Sequence, residues 1–148
     1  MDKLKDIILG NARLKRWSAK IYSLFHGNRI NITLDNAVYK DYAFLRNVRI
    51  TIKGKSNIIK IEDVSILKNC DILISGNHNS IILGEKTVLY DVALHIEDDG
   101  NTIKIGDHTT IFGKTHLACI EGCSIIIGND CMFSSDVVFR TGDTRLRQ

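Results

Sequence analysis

Asn57-Ile58-Ile59-Lys60-Ile61-Glu62-Asp63-Val64-Ser65 is the stretch that decides the fold, because related stretches return at a fixed interval of 22 residues. They begin at Asn79, Asn101 and Cys123, and a weaker copy spans 39–43. Four columns stay in register along the copies: Asn57/Asn79/Asn101/Cys123, Ile59/Ile81/Ile103/Ile125, Ile61/Leu83/Ile105/Ile127 and Ser65/Thr87/Thr109/Cys131. A fixed period of this length is typical of a solenoid, in which each repeat packs on its neighbours.

The repeat predicts a chain wound into three-sided coils. The coils begin at Tyr39, Ile61, Leu83, Ile105 and Ile127. Each opens with two six-residue sides, such as 105–110 and 111–116, whose aliphatic or aromatic first residue should point inward. A longer third side, such as 73–82, closes the coil. This pattern predicts a parallel β-helix of about five coils, stacked at the sheet spacing of roughly 4.8 Å.

Polar and small residues at fixed positions predict the corners of these coils. Four glycines fall in or beside the bends, where a positive φ costs glycine little: Gly54, Gly76, Gly100 and Gly122. Three asparagines share one column: Asn57, Asn79 and Asn101. We expect these asparagines to form a structural ladder that bonds the backbone inside the turn, and the isoleucine columns to form the core.

The composition favours one domain with an aliphatic core. The 148-residue chain has no proline, 44% hydrophobic residues and few aromatic ones. Isoleucine dominates, and its β-branched side chain suits pleated, half-buried surfaces. No apolar run approaches the roughly 18 residues that span a bilayer, and the N-terminus lacks the apolar core of a secretory signal. We therefore expect a cytoplasmic protein.

The cysteines and the charges argue against two other classes of site. The four cysteines have no CxxC spacing, so we expect plain buried thiols in a reducing compartment and no metal: Cys70, Cys119, Cys123 and Cys131. The basic excess belongs to the first 26 residues alone, with six Lys or Arg against two Asp. Without exposed aromatics between the basic residues on a sheet face, nucleic-acid binding is not expected.

Residues 1–26 predict an amphipathic helical segment in front of the β-helix domain, which takes up 27–148. Apolar residues recur at spacings of three, four or their sums: Leu4, Ile7, Ile8, Leu14, Trp17, Ile21, Leu24 and Phe25. Gly27 is a candidate stop. Two interpretations stay open. Either the helix caps the open end of the solenoid, or it lies on an anionic membrane surface with Trp17 and Phe25 as anchors, which would make the protein membrane-peripheral.

Two hexads carry a resemblance to a known family. Residues 105–110 and 127–132 each have an aliphatic residue, then Gly, then Asp or Asn, with a small residue at position five. They resemble the hexapeptide-repeat acyltransferases, whose fold is a single-stranded left-handed parallel β-helix. The segment 126–135 followed by 139–144 is similar to the O-acetyltransferases of bacterial capsule, exopolysaccharide and lipopolysaccharide biosynthesis. A 22-residue period with an asparagine ladder also suits right-handed β-helices, so the left-handed expectation depends on this resemblance.

The resemblance implies transfer of an acetyl group from acetyl-CoA to a hydroxyl or amine of a sugar or polysaccharide precursor. In the family, a histidine after the Gly-Asp-Ser/Thr turn takes the proton of the acceptor, with neither a metal nor a covalent enzyme intermediate. Members are usually homotrimers, with sites in the grooves between solenoids and CoA along the later coils. A homotrimer that uses acetyl-CoA is therefore the implied assembly.

The sequence departs from the family at the expected base. Position 145 should hold the histidine but carries Arg145, which does not act as a base near neutral pH. Family members continue past Gln148 with coils that shape the CoA groove, so an impaired or inactive short form is expected. Asp143 is the candidate active-site residue inherited from the family, and it either positions the base or shapes the turn.

Two further histidines are candidate substrate-binding residues. His116 lies in the segment 115–118, which together with Glu121-Gly122 is similar to the same acetyltransferases. His95 lies near a corner one coil earlier. Each histidine either contacts the acceptor sugar or has a surface or structural role.

A second class of function stays open, namely a non-catalytic β-helical scaffold or interaction protein. The hexads and the Gly-Asp-Thr turn favour the enzyme, whereas the end of the sequence at Gln148 favours the scaffold. Phe133, Val137 and Phe139 are expected on an uncovered last rung. Exposed apolar residues at that rung predict oligomerisation or low solubility.

Overall fold

The computed structural model describes residues 12–40 and 42–142, and in that part of the chain one α-helix precedes sixteen short β-strands. The elements are α1 (Ala12–Leu24), β1 (Arg29–Ile32), β2 (Ala37–Tyr39), β3 (Phe44–Arg46), β4 (Arg49–Lys53), β5 (Ile58–Ile61), β6 (Ile66–Lys68), β7 (Asp71–Ser75), β8 (Ser80–Leu83), β9 (Val88–Tyr90), β10 (Val92–Glu97), β11 (Thr102–Ile105), β12 (Thr110–Ile111), β13 (Thr115–Cys119), β14 (Ser124–Ile127), β15 (Met132–Phe133) and β16 (Val138–Arg140).

These strands form three parallel sheets that run the length of the solenoid. Sheet A has the order β1-β4-β7-β10-β13-β16, sheet B the order β2-β5-β8-β11-β14, and sheet C the order β3-β6-β9-β12-β15. After β1, the chain passes through sheets B, C and A in turn, and it does so five times. This architecture confirms the predicted parallel β-helix of about five coils with a helix at its N-terminal side.

The predicted columns form the core because the coils stack in register. Ile59 pairs with Ile81, and Ile81 pairs with Ile103, each 22 residues further along the chain. All three side chains are fully buried, and burial of such a side chain contributes about 1.5 to 3 kcal/mol. Each inward side chain therefore packs between near-identical residues of the coils on either side.

The corners repeat with the same period and use the left-handed backbone region. Two sets of residues spaced by 22 have positive φ: Val64, Lys86, His108 and Asp130, and Ser56, His78, Gly100 and Gly122. Gly76 has a second requirement, since a Cβ there would lie 2.0 Å from the carbonyl oxygen of Asp98 in the next coil. The predicted role of glycine in the bends is confirmed.

The asparagine ladder is also confirmed, and it is one rung longer than predicted. The backbone N–H of Asn79 donates to Asn57 Oδ1 at 3.0 Å, and that of Asn101 donates to Asn79 Oδ1 at 2.8 Å. The N–H of Cys123 continues the ladder to Asn101 Oδ1 at 2.9 Å. At the other end, Asn36 Oδ1 accepts from the N–H of Asn57. These bonds satisfy polar groups that would otherwise be buried without partners.

The predicted start of the first coil at Tyr39 is wrong. Tyr39 pairs with Lys60 rather than with Ile61, and 58% of its surface is exposed. Here the repeat is 21 residues long, because Val38 and not Tyr39 fills the inward position opposite Ile59. Alternation along a strand turns the next residue outward, so a shift of one residue exposes the aromatic ring.

Helix α1 lies against β3, the first strand of sheet C. The contact uses small and polar residues: Ala19 is buried, and Ser23 Oγ accepts from the N–H of Leu45 at 3.2 Å. The chain leaves the helix through Gly27, whose φ of 70° agrees with the predicted stop. No helix in the described part of the chain is long and apolar enough to cross a bilayer. Residues 1–11 of the predicted helical segment lie outside the described residues.

Candidate functional site

The candidate site lies on the outer face of sheet A, where three neighbouring strands present polar side chains. In β7, β10 and β13 alternate residues are buried, so the residues between them face outward. Asp71 and His116 both lie opposite Ala93 in the register, while His95 lies two residues further along β10. The small side chain of Ala93 separates the two polar residues that share its column. His95 reaches both of them diagonally.

The three side chains form one hydrogen-bonded chain. His95 Nε2 lies 3.1 Å from Asp71 Oδ2, and His95 Nδ1 lies 3.1 Å from His116 Nε2. The two imidazole rings meet edge to face, with centroids 4.7 Å apart. Both nitrogens of His95 are thus engaged, one with the carboxylate and one with the second histidine.

This chain determines the tautomers when both histidines are neutral. An ionised Asp71 only accepts hydrogen bonds, so the proton of His95 must be on Nε2. His95 Nδ1 is then an acceptor, which requires His116 to donate from Nε2. His116 Nδ1 is therefore the unprotonated nitrogen, and its lone pair is the basic end of the chain.

The surroundings keep His116 neutral. Partial burial, the neighbouring His95 and the guanidinium of Arg140 together lower the pKa of His116 below the ordinary value of 6.5. Burial disfavours the charged form, and two nearby positive groups disfavour it further. At neutral pH His116 is consequently an uncharged base.

A cavity of about 290 Å³ opens beside this base. Its lining comes from the outer faces of three strands and the bend that follows them: His95, Glu97, His116, Ala118, Ile120, Arg140, Thr141 and Gly142. The segment after β16 is held in place by backbone bonds, since the N–H of Thr141 donates to the carbonyl of Ala118 at 3.0 Å. A small polar molecule in this cavity would contact an imidazole base, a carboxylate and a guanidinium.

The sequence-predicted residues divide into two groups. His95 and His116 were predicted as separate substrate contacts, and the structure brings them together in one hydrogen-bonded unit. Asp143 and Arg145 lie outside the described residues, so their predicted roles remain predictions. No other described residue replaces them as the start of that turn.

Sequence reasoning missed Asp71 and Arg140. Asp71 precedes His95 by 24 residues and His116 follows it by 21, so neither spacing matches the period of 22. The available signal was strand alternation, which places all of these residues on the outer face. The diagonal contact also depends on the 23-residue step between Leu94 and Leu117, which only the register reveals.

Other polar groups do not form a comparable site. His108 lies 3.4 Å from Asp130, but both side chains are well exposed at a corner. Among the described residues, no group of three or more His, Cys, Asp or Glu is placed to hold a metal ion. All four cysteines are free, and burial raises the pKa of the Cys70 thiol to about 11, which keeps it protonated.

Comparison of the chain with protein-family models, with curated proteins and with solved structures found no significant match.

Proposed function

We propose that this protein is an acyltransferase that moves an acetyl group from acetyl-CoA to a hydroxyl or amine of a sugar in surface polysaccharide biosynthesis. The observation that supports the proposal is the hydrogen-bonded chain from Asp71 through His95 to His116, which ends in a neutral base beside a cavity. Group transfer to a hydroxyl needs such a base, and the parallel β-helix is the fold implied by the family resemblance.

In the proposed reaction, His116 Nδ1 takes the proton of the acceptor hydroxyl as the oxygen attacks the thioester carbonyl. A C–O bond forms, the C–S bond breaks, and the proton passes to the departing thiolate of CoA. The positive charge on His116 is stabilised through His95 by the carboxylate of Asp71. Arg140 is suited to stabilise the negative charge that develops on the carbonyl oxygen.

This assignment gives His116 the role that the family resemblance reserves for position 145. His116 is the catalytic residue in the proposal, because it contacts the reacting hydroxyl. His95 and Asp71 are positioning residues, because they act through His116. The acceptor is expected to occupy the cavity beside Ala118, whose small side chain leaves room next to the base.

The proposal is tested by incubating the full chain with acetyl-CoA and a panel of sugars, with acetylated product measured by mass spectrometry. His116→Gln should lower the rate roughly 100-fold or more, as expected for loss of a general base. His108→Gln is the matched control, since it removes an exposed imidazole that also faces a carboxylate, and it should leave the rate unchanged. Equal rates for His116→Gln and the unchanged chain would contradict the assignment of the base.

The pH dependence adds a second test. The active form has a neutral His116, so the rate should rise with pH through a pKa below 6.5 and then level off. Asp71→Asn keeps a hydrogen-bond acceptor for His95 but removes the charge, so the plateau rate should fall. If calorimetry shows no binding of acetyl-CoA, the enzyme proposal fails, and the non-catalytic scaffold becomes the better explanation of the fold.

A further inference from the structure

The N-terminal helix carries its large apolar residues on the side that faces away from the solenoid. Trp17, Ile21 and Leu24 are spaced by four and three residues, so they share one face of α1. Trp17 is 67% exposed and Leu24 is 78% exposed. Ala19 and Ser23, four residues apart, occupy the opposite face and make the contact with β3. We call the outward residues Leu14, Trp17, Ile21, Leu24 and Phe25 the apolar face.

Positive charge accompanies the apolar face. The helix sequence ARLKRWSAKIYSL holds two arginines, two lysines and no acidic residue. Arg16 and Lys20 are both exposed, and they flank Trp17. An apolar stripe bordered by arginine and lysine is the composition of helices that lie in the headgroup region of a membrane.

A groove continues the apolar face onto the first coil. It has a volume of about 430 Å³ and combines an apolar floor with two lysines. Leu24, Ile30 and Leu45 supply the floor, while Lys20 and Lys40 supply the charge. Ammonium groups above an apolar floor match a lipid, whose phosphate lies directly above its acyl chains.

We propose that the apolar face of α1 and this groove dock on an anionic phospholipid surface. Trp17 and Phe25 enter the interface between headgroups and acyl chains, and Arg16, Lys20 and Lys40 contact the lipid phosphates. The solenoid stays in water, attached through the opposite face of the helix. The cavity beside His116 is then held at a membrane surface, whichever reaction it supports.

Charge favours a lipid over the other occupants of this face. A second copy of the chain would meet it through a two-fold axis, which places Arg16 and Lys20 against the same residues of its partner. Residues 1–11 hold two lysines and two aspartates, so they offer no net negative charge to balance the helix. An anionic bilayer neutralises the cations and covers the apolar side chains together.

Trp17 makes the test direct, because it is the single tryptophan of the chain. The full chain is titrated with vesicles of phosphatidylcholine alone and with vesicles that also contain phosphatidylglycerol, while tryptophan emission is recorded. We expect a blue shift and quenching by brominated lipids with the anionic vesicles. Binding to these vesicles should be at least tenfold tighter than to phosphatidylcholine and should weaken as salt is added.

Three variants separate the contributions. Leu24→Ser combined with Phe25→Ser should weaken binding at least tenfold, and Arg16→Gln combined with Lys20→Gln should remove the preference for anionic vesicles. Ile126→Ser is the matched control, because Ile126 is 70% exposed on the solenoid, far along the chain from the helix. The control should bind as the unchanged chain does. Circular dichroism checks that each variant keeps its fold.

Several outcomes would overturn the proposal. The absence of a blue shift with anionic vesicles would do so, as would equal binding to both kinds of vesicle. Emission that is already blue-shifted without lipid would show that protein covers Trp17. Light scattering would then assign the cover to a second copy if the chain is dimeric, or to residues 1–11 if it is a monomer.

Discussion

The solenoid and the helix treat their apolar residues in opposite ways. In the solenoid, Ile81 and its column neighbours are buried between matching residues of adjacent coils. In the helix, Trp17 and Leu24 recur with equal regularity, yet they lie in solvent. A regular apolar pattern therefore shows which residues share a face, but it does not show what that face meets.

The difference arises from how each region finds its partners. A residue of the solenoid meets its own repeat one period later, so the same sequence pattern supplies both sides of the contact. The helix has no copy of itself in the chain, and its contact with β3 depends on which face fits there. Ala19 and Ser23 allow close approach to β3, whereas bulky residues would hold the helix away.

The largest expected effect tests burial in the repeat columns. Ile81→Ala should lower the free energy of unfolding by about 3 kcal/mol, because it leaves a cavity between two stacked coils. The matched change Ile21→Ala in the helix should lower it by less than about 0.5 kcal/mol, since Ile21 is exposed. Urea denaturation followed by circular dichroism measures both. Equal losses would remove the contrast between the two regions.

A smaller effect is expected where the contrast concerns asparagines. The side chains of Asn79 and Asn28 each bond several backbone groups, the first inside the ladder and the second at the junction of helix and solenoid. Asn79→Ala should cost about 2 kcal/mol, because it leaves buried backbone groups without partners. Asn28→Ala should cost about 1 kcal/mol, since water can reach the groups around this partly buried side chain.

The outcome for these two variants would sharpen the comparison. A larger loss in Asn28→Ala than in Asn79→Ala would mean that the junction, and not the ladder, limits the stability of the first coil. Hydrogen exchange of the N–H of Asn101 and of Val48 identifies the bond that each variant removes, because these groups donate to Asn79 and Asn28 respectively.

The smallest effect is expected on the outward side of the helix. Leu24→Ser and Ile126→Ser should each change the free energy of unfolding by less than about 0.5 kcal/mol in the absence of lipid, because both side chains are exposed. A loss above about 1 kcal/mol in Leu24→Ser alone would indicate that protein covers the apolar face in solution. The same urea titrations decide this point.

The candidate site was only half visible in the sequence. His95 and His116 could be chosen because strand alternation and the family resemblance drew attention to them, but as separate residues. Their contact, and the contact with Asp71, depends on diagonal neighbours across three strands. Such neighbours cannot be read from a period of 22 when one coil is 23 residues long in sheet A. The part of the site assigned to Asp143 and Arg145 lies outside the described residues and stays a prediction.

The sequence by itself determined the solenoid, since a repeat that stacks on itself specifies its own contacts: the columns of isoleucine, the asparagine ladder and the bends recur wherever the period does. Even there, the single-residue shift at Tyr39 followed from pairing with the next coil rather than from the residue type. Only the tertiary structure decided the contacts between unlike elements. The orientation of α1 and the chain from Asp71 to His116 belong to this second kind, because each depends on the shape of a surface that the rest of the fold must first create.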